Sequence, residues 1–146
     1  MKITYKGDYA LKTILDLAAH FGNGPVVIND LSRRLDIPTK FLEQILLDLK
    51  RAHFVESKRG KIGGYSLARH PGQITLGEVT RFIDGPIEPI ACVDKRYSGC
   101  HDAGACVFRS IWDQVSSSTA KIIDNVTFED LLKRSKKTSK SFNYQI

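Results

Sequence analysis

The stretch Ile28-Asn29-Asp30-Leu31-Ser32-Arg33-Arg34-Leu35-Asp36-Ile37-Pro38-Thr39-Lys40-Phe41-Leu42-Glu43-Gln44-Ile45-Leu46-Leu47-Asp48-Leu49-Lys50-Arg51 holds two apolar patterns of helical period, separated by a break. Leu31 and Leu35 stand one turn apart and predict a short helix from Ile28 to Leu35. Asp36-Ile37-Pro38 interrupts it, with Pro38 expected at the first position of the next helix, where a missing N–H costs nothing. In that helix Leu42, Ile45, Leu46 and Leu49 form the buried stripe. The opposite face presents Lys40, Gln44, Leu47 and Arg51, with Phe41 and Glu43 to either side. Two helices across a tight turn, the second showing Lys, Gln and Arg, describe a helix-turn-helix. Gln can pair with an adenine edge, and Lys or Arg can reach guanine or phosphate. The competing reading of this face alone is an ordinary solvated helix surface.

The next residues favour a nucleic-acid partner. Phe54-Val55-Glu56-Ser57 and Tyr65-Ser66-Leu67-Ala68 alternate like strands, and Lys58-Arg59-Gly60-Lys61-Ile62-Gly63-Gly64 joins them with three cations and three glycines. A basic hairpin tip directly after the second helix of the motif is a wing, whose Arg59 and Lys61 could enter a minor groove or hold phosphate. The segment lacks the G-x-x-x-x-G-K-[ST] pattern and following helix of a nucleotide-binding loop. Thr75-Leu76-Gly77-Glu78 is a capping box that opens a helix through Ile83, ended by Asp84-Gly85-Pro86. Upstream, Leu11, Ile14, Leu15 and Ala18 predict a first helix over residues 8–21, stopped by Gly22-Asn23-Gly24-Pro25. The expected class is mainly α with a small β-hairpin: a winged helix-turn-helix over residues 1–84.

The chain has 146 residues, 42% hydrophobic and 26% charged, which suits a soluble protein of one compact domain, or of one small domain with an appendage. No apolar run approaches the roughly 20 residues of a membrane span, and Met1–Asp8 lacks the apolar core of a secretory signal. A cytoplasmic location with no membrane partner is therefore expected. The net charge of +6 is uneven: residues 1–84 carry 13 basic and 9 acidic groups, residues 85–132 carry 4 and 7, and residues 133–146 carry 5 and none. Positive charge suits DNA, but the tail supplies much of it, so the cations between 33 and 61 carry more weight.

All three cysteines fall in the fifteen residues 92–106, spaced Cys-x7-Cys-x5-Cys, within a segment of no helical or strand period. Without an export signal they read as reduced thiols available to zinc, copper(I) or an iron–sulfur cluster. Zinc or a thiol switch, with His101 as a nearby donor, is the alternative on the same residues. A thiol enzyme would pair one cysteine with His20, His53, His70 or His101, and no supporting carboxylate pattern accompanies those residues. Beyond this loop (85–106), Phe108, Ile111, Trp112, Val115, Ile122, Ile123 and Val126 mark a long helix whose stripe lacks a local cover. A homodimer through residues 107–126 is the economical solution, packing back on the N-terminal domain the alternative. Thr127–Leu132 predicts a short capped helix, grouped with the long one as residues 107–134, and the Lys- and Ser-rich residues 135–146 predict a flexible tail.

In this order the elements resemble the Rrf2 family of bacterial transcription regulators, most closely its iron–sulfur branch. The resemblance runs over about 130 residues: Lys6-Gly7-Asp8-Tyr9-Ala10-Leu11, Phe41-Leu42-Glu43-Gln44-Ile45-Leu46, Arg59 through Leu67, Ile74 through Val79, the three cysteines, and Asn125 through Leu131. It implies a homodimer on partly palindromic, double-stranded promoter DNA, controlled by a cluster of the 2Fe–2S or 4Fe–4S type. By that pattern Cys92, Cys100 and Cys106 are its ligands, and iron, redox state, nitric oxide or cluster supply is the signal. It also implies that Phe41, Glu43 and Gln44 read DNA from the helix and Arg59 from the wing. Thr39, Lys40, Arg51, Lys58 and Lys61 complete the candidate DNA contacts. The family's cluster-supply regulators carry a histidine three residues beyond the last cysteine, where this chain has Arg109. In a nitric-oxide-sensing branch an aspartate from the other subunit completes the cluster, and Asp8 stands at the matching position. Asp8 equally reads as the N-cap of the first helix, and His101 is the candidate nearer in sequence.

Overall fold

Thr4 starts the first helix. Its backbone is extended and its hydroxyl accepts the Gly7 N–H at 3.0 Å, so helix α1 runs Tyr5–Ala19. The structure is a computed structural model that describes residues 1–142, with side chains described through residue 138. The helix begins earlier than expected, and the cap is Thr4, not Asp8, which lies inside the first turn. Thr4 wins that role because its hydroxyl sits three residues before an N–H with no helical partner.

Helix α2 (Ile28–Leu35) has the expected bounds and ends at Asp36, whose φ of 53° turns the chain left-handed. Ser32 Oγ donates to the Ile37 carbonyl at 2.7 Å and closes the turn. Helix α3 (Thr39–Arg51) follows, with Pro38 in the capping position just outside it and not at its first helical residue. Leu42, Ile45, Leu46 and Leu49 are fully buried and pack toward Ile14, Leu17 and Leu31 in one core. Strands β1 (Val55–Lys58) and β2 (Gly64–Leu67) pair antiparallel from Val55↔Leu67 to Lys58↔Gly64, one residue nearer the tip than expected. Val26 and Tyr65 exchange two backbone hydrogen bonds at 2.8 Å, tying the turn end of β2 to the segment before α2. Gly64 permits this approach: its φ is +149°, and a Cβ there would run into the Val26 carbonyl.

Helix α4 (Leu76–Asp84) opens with the expected capping box between Thr75 and Glu78. A long connection through Cys92 and Cys100 leads to helix α5 (Arg109–Asp124), in which no residue is buried. The chain then returns to the N-terminal unit: Leu76 N–H donates to the Val126 carbonyl at 2.9 Å, and Phe128 N–H donates to the Ile74 carbonyl at 3.1 Å. This pairing drives Phe128 fully into the core at the start of helix α6 (Phe128–Phe142), with Leu131 and Leu132 packed against it. The terminal helix, grouped with the long one from sequence, thus packs on the winged domain, and it is longer than expected. The tail expected to be flexible from 135 is helical through 142, because no glycine or proline stops α6 there; residues 143–146 lie outside the described residues. Among the described residues, six α-helices and one hairpin make the expected winged helix-turn-helix with a long added helix. No described helix is long and apolar enough to cross a membrane.

Candidate functional site

The buried stripe of α3 turns Lys40, Glu43, Gln44, Leu47 and Arg51 outward, and all are exposed. Phe41 is 39% exposed, its ring edge-on to Tyr9 of α1 at 5.6 Å, so part of it is committed to packing α3 against α1. Thr39 is half-buried and donates its hydroxyl to Ser32 Oγ at 3.2 Å, within the turn of the helix-turn-helix. Lys58, Arg59 and Lys61 are exposed on the wing. Gly63 closes the tip by donating its N–H to Gly60 at 3.0 Å, in a space where a Cβ would strike the Lys58 carbonyl. Lys50 Nζ donates to Ser57 Oγ at 2.6 Å, joining the end of α3 to the wing. The two elements line one open groove of about 540 Å³ with Lys50, Lys58, Arg59 and Lys61 on its walls. A polyanion entering it meets four cations.

Asp48 lies behind this surface and was not singled out from sequence. Lys6 Nζ of α1 meets its Oδ2 at 2.7 Å, while Gln44 Nε2 and Arg51 Nη1 each approach Oδ1 at 3.4 Å. Its side chain is only 17% exposed. The hydrogen bond from Lys6 is the largest influence holding its carboxyl below the usual range, Gln44 and Arg51 adding to it against the opposing effect of burial. The positions of Gln44, Asp48 and Arg51 along one helix face are visible in sequence; the Lys6 partner, on another helix, is not.

The cysteine connection is held by local polar contacts. Cys92 lies in a single 3-10 turn, Ala91–Val93. Just after it Asp94 accepts from the Arg96 side chain at 2.9 and 3.1 Å and from the Arg96 N–H at 2.9 Å, bonds that hold its carboxyl below the usual range. The Asp102 carbonyl accepts the Ala105 and Cys106 N–H groups at 3.0 and 2.9 Å. Arg109 Nη1 donates to the Ala103 carbonyl at 3.1 Å, so this side chain braces the loop against the first turn of α5. All three cysteines are free and half-buried, and Cys106 lines an open cleft of about 430 Å³ with Val93, Lys95 and Arg109. His101 is exposed. Asp8 pairs with Lys12 at 2.6 Å on the surface of α1. Three thiols on one loop are the right donors for a thiophilic iron centre. Among the described residues, however, no three His, Cys, Asp or Glu side chains converge as metal ligands, so the cysteines are not brought together.

Past the loop, Phe108, Ile111, Trp112, Val115 and Ile122 are exposed along α5, whereas Ile123 and Val126 are half-buried near α4. The stripe read as continuous is therefore split: its last members pack back on the chain's own domain. Asp84 at the end of α4 reaches the start of α1, accepting the Thr4 N–H at 3.1 Å and its hydroxyl at 2.5 Å. Gly7 makes room for it, since a Cβ there would overlap the Asp84 carboxylate.

Residues 3–134 match the model of the Rrf2 family, described as an iron-dependent transcriptional regulator. A regulator of the HTH type from Rhodobacter capsulatus, called rrf2-like, is 40% identical over 137 residues, covering 89% of this chain and 91% of that protein. The HTH-type transcriptional regulator IscR of Aliivibrio salmonicida is 35% identical over 132 residues, covering 90% of this chain and 77% of IscR. Among solved structures, CymR, the global cysteine regulator of B. subtilis, superimposes with a TM-score of 0.78 at 30% identity, covering 92% of this chain and 98% of CymR. The IscR of T. potens superimposes with a TM-score of 0.71 at 32% identity, covering 92% and 88%. These proteins are transcriptional regulators and not enzymes, which removes the thiol-enzyme reading.

Proposed function

The chain belongs to the Rrf2 family of DNA-binding transcriptional regulators, and from that premise we propose that it is a cytoplasmic homodimer whose grip on promoter DNA is set by an iron–sulfur cluster on Cys92, Cys100 and Cys106. The observation that carries the reading is the position of the three free, half-buried thiols on one loop that leads directly into the exposed apolar helix α5. Helix α3 reads the major groove, Gln44 pairing with an adenine edge, Glu43 accepting from cytosine, and Lys40 and Arg51 reaching guanine or phosphate. Arg59 and Lys61 of the wing take the minor groove or its phosphates, and the cationic groove shared with Lys50 supports both elements facing one duplex.

The bound cluster supplies iron–thiolate bonds whose integrity depends on iron supply, oxidants or nitric oxide. Arg109 braces the loop on α5. From there, polar contacts run through Arg81–Asp124 to α4, Asp84–Thr4 to α1, and Lys6–Asp48 to α3. A change in loop order thus has a contiguous physical route to the DNA-reading face. Asp8 of the partner subunit is the fourth ligand we favour, released from Lys12 on binding, with His101 the alternative.

Anaerobic purification followed by iron and acid-labile sulfide analysis, absorption and Mössbauer spectroscopy tests the proposal. Alanine at Cys92, Cys100 or Cys106 should abolish the visible iron–sulfur absorbance, and Asp8→Ala should alter it. A full cluster spectrum from the triple cysteine variant would overturn the assignment. A zinc- or thiol-based regulator of the same fold is the second reading; its thiol form is favoured by the open cleft that places Cys106 beside Lys95 and Arg109, since a reactive thiolate does not need three converging ligands. Zinc content without sulfide, or DNA binding governed by disulfide reagents alone, would select it.

A further inference from the structure

Resting on the reading of α3 as the base-contacting helix, we infer that Asp48 is a positioning residue for specificity: it sets which end of the Gln44 amide is presented to DNA. An ionised carboxylate can only accept hydrogen bonds. Its neighbour Gln44 must therefore turn Nε2 toward it, and Nε2 lies 3.4 Å from Asp48 Oδ1. The other Nε2 hydrogen and Oε1 are left to meet the acceptor and donor of an adenine edge in one orientation.

What separates this from an ordinary pair one turn apart on a solvated helix is Lys6. It comes from α1, contacts the other carboxylate oxygen at 2.7 Å, and holds Asp48 in a site where its side chain is 17% exposed. The Lys6 hydrogen bond further favours the ionised carboxylate, which has no donor of its own to offer Oε1. Arg51, at 3.4 Å from the same Oδ1, balances the remaining charge on the outward side. An asparagine at 48 would offer either a donor or an acceptor, and Gln44 could then sit in both orientations.

The substitution Asp48→Asn should have effects of opposite sign. Discrimination at the base read by Gln44 should fall by about tenfold, the scale of one bidentate base contact. Affinity for arbitrary duplex should hold or rise, because an anion near the phosphates has been removed. The test uses the full chain in selections from a pool of random DNA duplexes, followed by competition between the selected duplex and single-base variants. Gln44→Ala first identifies the position it reads. Asp48→Asn should relax that same position and, apart from any base that Arg51→Ala shows Arg51 to read, no other, and should add nothing at it in the Gln44→Ala background. Lys6→Gln, which releases Asp48 without removing it, should relax the position more weakly and carries the test if Asp48→Asn fails to fold. Preference retained in both variants, or lost evenly at every position, overturns the positioning role while leaving the α3 reading intact. If Gln44→Ala relaxes no position, the base-reading assignment of Gln44 itself fails, and the role of Asp48 with it.

Discussion

Arg81 of α4 grips Asp124 in the last turn of α5 with both ends of its guanidinium, Nη1 to Oδ1 at 2.5 Å and Nη2 to Oδ2 at 3.0 Å. The pair lies over Gly77, where a Cβ would overlap the Asp124 carboxylate, so the glycine is what lets the two helices approach. It anchors one end of a helix in which no residue is fully buried.

Both side chains are partly solvated, so the pair stabilises the fold modestly. Arg81→Ala should cost about 1 kcal/mol, the upper range for exposed pairs because the contact is bidentate. For a chain of this size that lowers the melting temperature by about 2–4 °C. The difference should narrow as salt is added. Gly77→Ala should cost more than Arg81→Ala, because it forces the helices apart instead of removing one contact. Thermal melts of the three proteins in low and high salt check the order; equal melting temperatures for all three would refute it.

Asp48 ties stability to acid pH. The hydrogen bond from Lys6 holds its carboxyl below the usual range in the folded chain, whereas an unfolded aspartate titrates near about 3.9. The resulting stabilisation is complete above the unfolded value. It is lost as pH falls through the lower folded value, where the folded carboxylate is protonated too. Urea unfolding from about pH 5 down to about pH 2 should therefore show wild type losing stability more steeply than Asp48→Asn. Asp94 and Asp130, also held low by their hydrogen-bond partners, contribute alike to both proteins and cancel in the difference. Parallel curves would show that the Lys6 contact is energetically silent.

What sequence disclosed and what it hid follow from the range of each interaction. The Thr75–Glu78 capping box, the stripe Leu42, Ile45, Leu46 and Leu49, and the turn at Asp36 are local patterns, and each appears as read. The Thr4 cap was local as well, but Asp8 competed for the role with an equally suitable side chain. Phe128 was beyond such reading, since its burial depends on residues 126–128 lying alongside 74–76. The same pairing draws Val126 out of the stripe it shares by spacing with Ile111 and Val115. For the cysteines, donor chemistry is legible from residue type alone. Their mutual positions are not, because an aperiodic loop leaves no spacing rule from which to derive them.

The wing predicts an electrostatic effect without a structural one. Arg59 is exposed at the tip, and the turn there is closed by the Gly63–Gly60 backbone bond, not by its side chain. Arg59→Ala should leave the melting temperature unchanged while weakening DNA binding. If the guanidinium meets a phosphate, the slope of log affinity against log salt should become shallower by about one charge, evenly across sequences. If it enters a narrow minor groove, the loss should concentrate on A·T-rich sites. Titrations at several salt concentrations separate the two, and unchanged affinity at every salt would remove Arg59 from the interface.

The exposed face of α5 sets the last expectation. Ile111 is 54% exposed, Trp112 39% and Val115 42%, and Phe108 and Ile122 are more exposed than Trp112 and Val115. Apolar side chains exposed in this way on a single chain mark an interaction surface, and a second copy of the same helix would be self-complementary to it across a two-fold axis. The C-terminal end of α5 is held by Arg81, which would leave the half nearer the cysteine loop free for a second copy. Two paired winged domains would then present recognition helices to half-sites about 34 Å apart, one turn of duplex. Ile111→Asp combined with Val115→Asp places charges on that face without entering the core, so the melting transition of the winged domain should survive. Sedimentation equilibrium should show a dimer for wild type and a monomer for the double variant. Binding to a two-half-site duplex should fall far more than binding to a single half-site, because only the former depends on both domains engaging at once. A wild-type chain that sediments as a monomer, or a double variant that still pairs, would assign this stripe to another partner and separate dimerisation from α5.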